Sequence, residues 1–118
     1  MSKILIVDDD ETLRYLIAEY LQRKGYDCTS AGDVAEARTH MSEEDFHLAI
    51  SDFNMPTESG LDLLKYVSVK SPSTPFILMS GEADSRLRKQ ALELGAAACV
   101  AKPFQMHELL ERVENALH

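Results

Sequence analysis

Apolar residues fall along the chain in two alternating rhythms. Lys3 to Val7 holds Ile4-Leu5-Ile6-Val7 with no polar residue between, which predicts a short strand covered on both faces. From Leu13 the spacing changes. Leu13, Leu16, Ile17, Tyr20 and Leu21 recur at three and four, which predicts a helix. Asp10, Glu11 and Thr12 stand at its start, where side-chain oxygens and negative charge suit the free amides and the dipole. Lys24-Gly25 ends it, with a cation in the last turn and a glycine for the left-handed exit.

The same two rhythms repeat. Tyr26 to Ala31 reads as a weaker strand, and Gly32-Asp33 as a turn offering an N-cap. Val34, Ala37, Arg38 and Met41 give a modest helix face. His47 to Ser51 is a third strand, closed by Asp52, and Gly60 precedes a helix through Leu61, Leu64 and Val67. Ser71-Pro72-Ser73-Thr74-Pro75 is a loop, because its prolines break helix and strand alike. Phe76 to Ser80 is a fourth strand and Gly81 to Ala83 a loop. Asp84 to Leu94 is a helix with Leu87, Ala91 and Leu94 on one side and Gly95 as its exit. Ala96 to Ala101 is a small-residue fifth strand, Lys102-Pro103-Phe104 a turn, and Met106, Leu109, Leu110, Val113 and Leu117 mark the last helix.

Strand and helix alternate five times, which means parallel strands, right-handed crossovers and helices on both faces of an α/β sheet. The commonest order for five such units is 2-1-3-4-5. That order puts strands one and three side by side, and it puts Cys28 and Cys99 on opposite edges, about 19 Å apart at ~4.8 Å per strand. A disulfide needs Cα atoms within ~7 Å, so none forms within one chain.

At 118 residues the expectation is one domain, 1–118, with a normal core. Twelve basic against twenty acidic residues leave a formal charge of −8, which argues against direct binding to nucleic acid. No run approaches ~18 apolar residues, so no membrane span is expected. Met1-Ser2-Lys3 leads directly into a strand pattern, so no signal peptide is expected and the default location is cytoplasmic. Two widely spaced cysteines suggest free thiols in a reducing compartment.

In this topology four strand ends meet, carrying Asp8 and Asp9, Asp52, Ser80, and Lys102. Taken singly, each has an ordinary reading: a capping acidic turn, a turn residue, a loop hydroxyl, a solvated charge. Together they make a problem that chemistry must solve. Carboxylates ~5 Å apart repel by about 3 kcal/mol per pair at an effective dielectric near 20. Either one is protonated or a cation sits among them. An oxygen-only donor set points to Mg²⁺ rather than zinc. A carboxylate beside Mg²⁺ and an ammonium is suited to attack phosphorus and become an acyl phosphate.

Ile4-Leu5-Ile6-Val7-Asp8-Asp9-Asp10, Ser51-Asp52-Phe53-Asn54-Met55-Pro56, Gly60, Met79-Ser80-Gly81 and Lys102-Pro103-Phe104 occur in an order and spacing that resemble the receiver domains of two-component response regulators, over essentially the whole chain. The resemblance implies a flavodoxin-like doubly wound sheet with Asp52 as phosphoacceptor. It implies Mg²⁺ on Asp9, Asp52 and the Asn54 backbone carbonyl, with Asp8 acting through a metal-bound water. Lys102 would pair with the phosphoryl group, Ser80 would be the switch hydroxyl moving with Gly81, and the Lys102–Pro103 bond would be cis. Asn54 and Glu82 occupy the positions that tune phosphoryl lifetime, and match the short-lived, chemotaxis-type pattern. Cys99 is a departure: it stands three before Lys102, where the family usually has an aromatic ring that swings inward. A small thiol cannot make that movement.

The resemblance implies a phosphohistidine donor on a histidine kinase or histidine phosphotransfer protein, docking at the start of the first helix through Leu13, Arg14 and Ile17. It implies a downstream protein or output domain as the recipient of the signal, and a monomer or a phosphorylation-dependent dimer. The 118 residues contain no output domain after the fifth helix, which fits a stand-alone regulator or a receiver from a longer protein. A phosphatase of the haloacid-dehalogenase kind is a second reading, but it needs a general acid two residues after the nucleophile, where this chain has Asn54. A receiver-like scaffold that is never phosphorylated is a third. The complete acidic site argues against it.

Overall fold

The computed structural model describes residues 1–81 and 85–118. Ten elements alternate: β1 (Lys3–Val7), α1 (Glu11–Arg23), β2 (Asp27–Ala31), α2 (Val34–Glu43), β3 (Leu48–Asp52), α3 (Gly60–Lys70), β4 (Phe76–Ser80), α4 (Ser85–Glu93), β5 (Ala98–Ala101) and α5 (Met106–Leu117). The strands are parallel and lie in the order β2-β1-β3-β4-β5, as expected. The first residue of the predicted helix at 84, with Glu82 and Ala83, lies outside the described residues.

Successive side chains of a strand point to opposite faces, and here both faces are covered. Ile4, Ile6, Leu48, Ile50, Ile77 and Met79 pack with Ile17 and Leu21 of α1 and Leu109 and Val113 of α5. Leu5, Val7, Ala49 and Leu78 pack on the other side with Ala37 of α2, Leu63, Leu64 and Val67 of α3 and Ala91 of α4. The three inner strands are buried along nearly their whole length. Cys28 and Cys99 sit on the opposite outer strands and both are free. No helix among the described residues is long and apolar enough to cross a membrane.

Three strand boundaries differ from the sequence reading. β2 begins at Asp27 rather than Tyr26, because the Tyr26 amide donates back to the Leu21 carbonyl and closes α1 around Gly25 at φ +97°. β5 begins at Ala98 rather than Ala96 for the same reason: the Ala96 amide donates to Ala91 around Gly95 at φ +103°. β3 runs from Leu48 and keeps Asp52 inside the ladder, opposite Met79. Ile17 is also displaced from its expected role. It is 0% exposed beneath α1 and cannot be part of a docking surface, whereas Leu16 is 48% exposed.

Candidate functional site

β1 stops at Val7, so Asp8 and Asp9 leave the sheet at its carboxyl edge beside the end of β3. This is the place where the strand order reverses and a crevice opens. Asp8, Asp9 and Asp52 each offer a carboxylate oxygen within 4.8 Å of the others. Asp8 is fully buried and Asp52 is 6% exposed, while Asp9 faces solvent.

Lys102 enters from β5. Its amide donates to the Ser80 carbonyl at 2.6 Å, which fastens the end of β5 to the end of β4. Its ammonium lies 3.0 Å from Asp8 Oδ2 and 3.3 Å from Asp52 Oδ1. The Lys102–Pro103 bond is cis, as the resemblance implies. Asp8 Oδ1 accepts the Asp10 amide at 2.9 Å, so both oxygens of this buried carboxylate are engaged. Asp10 caps α1 by accepting the Leu13 amide.

These charges perturb one another. Burial pushes the Asp52 carboxyl above its ordinary value; Lys102 pulls it back, Asp8 and Asp9 push it further up, and the net direction is up. For Lys102, burial favours the neutral amine, but the hydrogen bond to Asp8 and the charge of Asp52 outweigh it and the pKa rises.

α3 closes the crevice from below. Ser59 and Asp62 form a reciprocal capping box at its start. Gly60 lets that start approach β3: a Cβ there would lie 2.3 Å from the Asp52 carbonyl oxygen and 2.8 Å from Leu78 Cδ1. Asn54 is exposed in the loop between them. In the same loop Thr57 has φ +71°, a region that β-branched residues rarely occupy. Glu58 receives a two-pronged bond from Arg38 of α2, at 2.7 and 2.8 Å, and the Arg38 guanidinium lies over the Tyr66 ring. The loop is thus strained and pinned.

Ser80 ends β4, 6% exposed, opposite Ala101 of β5. Cys99 lies opposite Leu78, on the same face as Ser80 and one diagonal step away. Burial raises the Cys99 thiol; Arg88 and Ser80 pull the other way without reversing it. Glu82 lies outside the described residues.

The structure brings together Asp8, Asp9, Asp52 and Lys102, and holds Ser80 on the adjoining strand end. Sequence reasoning missed the inward role of Arg14, which donates to the Asp8 carbonyl at 2.8 Å instead of simply facing a partner. It also missed the strain at Thr57 and the Arg38–Glu58 pair. A cation four residues after a capping aspartate was the one available signal for Arg14; no local pattern pointed to the others. For a metal, the donor set suits a small hard cation: carboxylate oxygens only, with no nitrogen or sulfur ligand in the cluster, and water access at Asp9.

Comparison with known proteins agrees with this geometry. The family model for the response regulator receiver domain matches residues 4–114. The chain is 40% identical over 114 residues to PetR of Rhodobacter capsulatus, covering 97% of this chain and 48% of PetR, so it spans about half the length of that relative. It is 39% identical over 116 residues to a probable chemotaxis protein CheY of Rhizobium etli, covering 95% of this chain and 89% of that one. It superposes on the Thermotoga maritima response regulator TrrA, solved in complex with Mg²⁺ and BeF, with a TM-score of 0.90 at 32% identity, covering 99% of this chain and all of the other. The chain belongs to the response-regulator receiver-domain family of two-component systems, and it is CheY-like.

Proposed function

We propose that the chain is a phosphorylation-controlled switch with Asp52 as phosphoacceptor. The observation that carries this reading is the ammonium of Lys102 set 3.3 Å from a nearly buried Asp52, within a cluster of carboxylates. An Asp52 oxygen attacks the phosphorus of a phosphohistidine on a kinase or phosphotransfer protein. The new O–P bond forms as the N–P bond breaks and its electron pair stays on the ring nitrogen; with the other ring nitrogen already carrying a proton, the histidine leaves as neutral imidazole. Water later attacks the same phosphorus, and inorganic phosphate and the free carboxylate are regenerated. The chain acts as its own substrate, not as an enzyme on others.

Lys102 supplies a fixed positive charge to the phosphoryl oxygens as their charge redistributes. In the unmodified chain it is held by Asp8, and that bond aims it. Asp9, Asp52 and the Asn54 carbonyl would hold Mg²⁺, with Asp8 contributing through water. Bound there, the cation would neutralise the carboxylates and the incoming phosphoryl oxygens. The bound Mg²⁺ and BeF of the TrrA structure favour this assignment by likeness.

The phosphoryl group adds about −1.5 to −2 charges at one point. Ser80 turns its hydroxyl to the new oxygens, and the Gly81 turn follows. With Cys99 in place of an aromatic, the change is carried by β4, the Gly81 turn and α4. Asn54 and Glu82 match, by residue type, the family's short-lived pattern at the positions that tune phosphoryl lifetime, so the modified state is short-lived. The recipient is a downstream protein or an output domain, and the cytoplasm is the location this reading implies.

The test is intact mass after acetyl phosphate and Mg²⁺, beside Asp52→Asn. The expected result is a phosphoryl adduct on the wild type alone, lost on chelation and decaying within minutes to an hour or so. An adduct on both proteins, or none from acetyl phosphate or a phosphohistidine donor, contradicts the reading and favours an unphosphorylated scaffold.

A further inference from the structure

Asp9 has the least protein support of the three carboxylates: among the described residues its side chain makes no ion pair, and it faces solvent. Its position depends on the turn from Asp8 to Asp10. From α1 the Leu13 amide donates to the Asp10 carboxylate, and Arg14 holds the turn at two further points. The Arg14 guanidinium donates through Nη1 to the Asp8 carbonyl at 2.8 Å, and the Arg14 amide donates to the Asp10 carbonyl at 3.0 Å. Between these two bonds, the Asp10 amide closes onto Asp8 Oδ1. Gly32, after β2, leaves room for the guanidinium: a Cβ there would lie 3.2 Å from Arg14 Nη1 and meet nothing else closer than the same group.

We propose that Arg14, seated against Gly32, is a positioning residue that holds the Asp8–Asp10 turn so that Asp9 and Asp52 can share a divalent cation. This rests on the reading of the acidic cluster as a Mg²⁺ site. Two roles for Arg14 predict opposite signs. As a nearby positive charge it repels a divalent cation, and its removal would tighten binding. As the clamp on the turn it supports binding, and its removal weakens it, on the scale of ~10-fold found when an outer-shell partner of a metal site is lost.

The experiment is a Mg²⁺ titration of the unphosphorylated chain by ¹H–¹⁵N NMR, following the amides of Asp9, Asp10 and Phe53 in the wild type, Arg14→Gln and Gly32→Ala. Arg14→Gln keeps the stem and removes the charge and the fork. Weakening of about 10-fold in Arg14→Gln, and of several-fold in Gly32→Ala, is the expected result. Unchanged or tighter binding in Arg14→Gln overturns the inference. If Arg14→Gln does not fold, Gly32→Ala decides in the same way, since it retains Arg14 and adds one methyl against it. Absence of Mg²⁺ binding by the wild type itself overturns the metal-site reading, and the inference with it. A merely structural role would lower the unfolding temperature without moving the Mg²⁺ affinity.

Discussion

Asp52→Asn should stabilise the metal-free chain. The wild-type carboxylate is 6% exposed and lies among two others with oxygens within 4.8 Å. At an effective dielectric of 20, each such repulsion is about 3.5 kcal/mol, and the attraction to Lys102 at 3.3 Å is about 5 kcal/mol. Solvent screens the exposed Asp9, so Lys102 offsets the two repulsions, and the net cost of the charged form is that of burying it, on the order of 2 kcal/mol. Asparagine keeps the shape and an oxygen for Lys102 without the charge. For a chain of this size ~2 kcal/mol corresponds to a rise of about 8 °C in Tm. The pH dependence follows from the raised pKa of Asp52. A carboxyl raised on folding favours the folded state below its unfolded value, and that contribution is lost as pH rises through the folded value. The advantage of Asp52→Asn is therefore full at neutral pH and shrinks on acidification through the carboxylate range. Mg²⁺ should reverse the ranking, because a ligand at 100 times its Kd stabilises the wild type by about 2.7 kcal/mol and the variant far less. Thermal unfolding by circular dichroism, in chelator and in excess Mg²⁺ across pH 4–8, reads all three. A variant no more stable than the wild type in chelator at neutral pH would refute the electrostatic account of the site.

Other changes test neighbouring parts of the structure. Gly60→Ala forces α3 away from the Asp52 carbonyl, and should cost at least ~2 kcal/mol in denaturant unfolding and slow phosphorylation by small donors. Thr57→Asn places a residue that tolerates positive φ where threonine is strained, and should raise the denaturant midpoint by about 1 kcal/mol equivalent without altering phosphorylation; a loss of stability would show that the strain is not there. Lys102 has a raised pKa, so its stabilisation is present below the unfolded lysine value and is lost as pH rises through the folded value. Lys102→Met should therefore remove part of the alkaline destabilisation expected of the wild type, and an identical alkaline limb in both would count against the pairing with Asp8 and Asp52.

The sheet order and both helix layers were legible because short, near-continuous apolar strands separated by three-and-four spacing admit few topologies. Asp8, Asp9, Asp52, Ser80 and Lys102 were legible because each ends such a strand. Strand starts were less so. Tyr26 and Ala96 look like strand residues by composition, but their amides are used by the preceding helices. Ile17 fits a helix face by spacing alone, and only the packing of α1 on the sheet shows that it points inward. The grip of Arg14 on the Asp8 carbonyl and the Arg38–Glu58 pair depend on where helices sit in three dimensions, which no local spacing encodes. Thr57 was invisible for a related reason: its φ of +71° runs against threonine's own preference, so the residue type does not announce it.

The claim that Asp52 is the phosphoacceptor is tested most directly by trapping. Borohydride reduces an aspartyl phosphate to homoserine and leaves free carboxylates intact. The chain is treated with acetyl phosphate and Mg²⁺, reduced, digested and mapped by tandem mass spectrometry. Homoserine at position 52, and at none of 8, 9 or 10, is the predicted result. Homoserine at Asp8 or Asp9 with Asp52 unmodified would contradict the account.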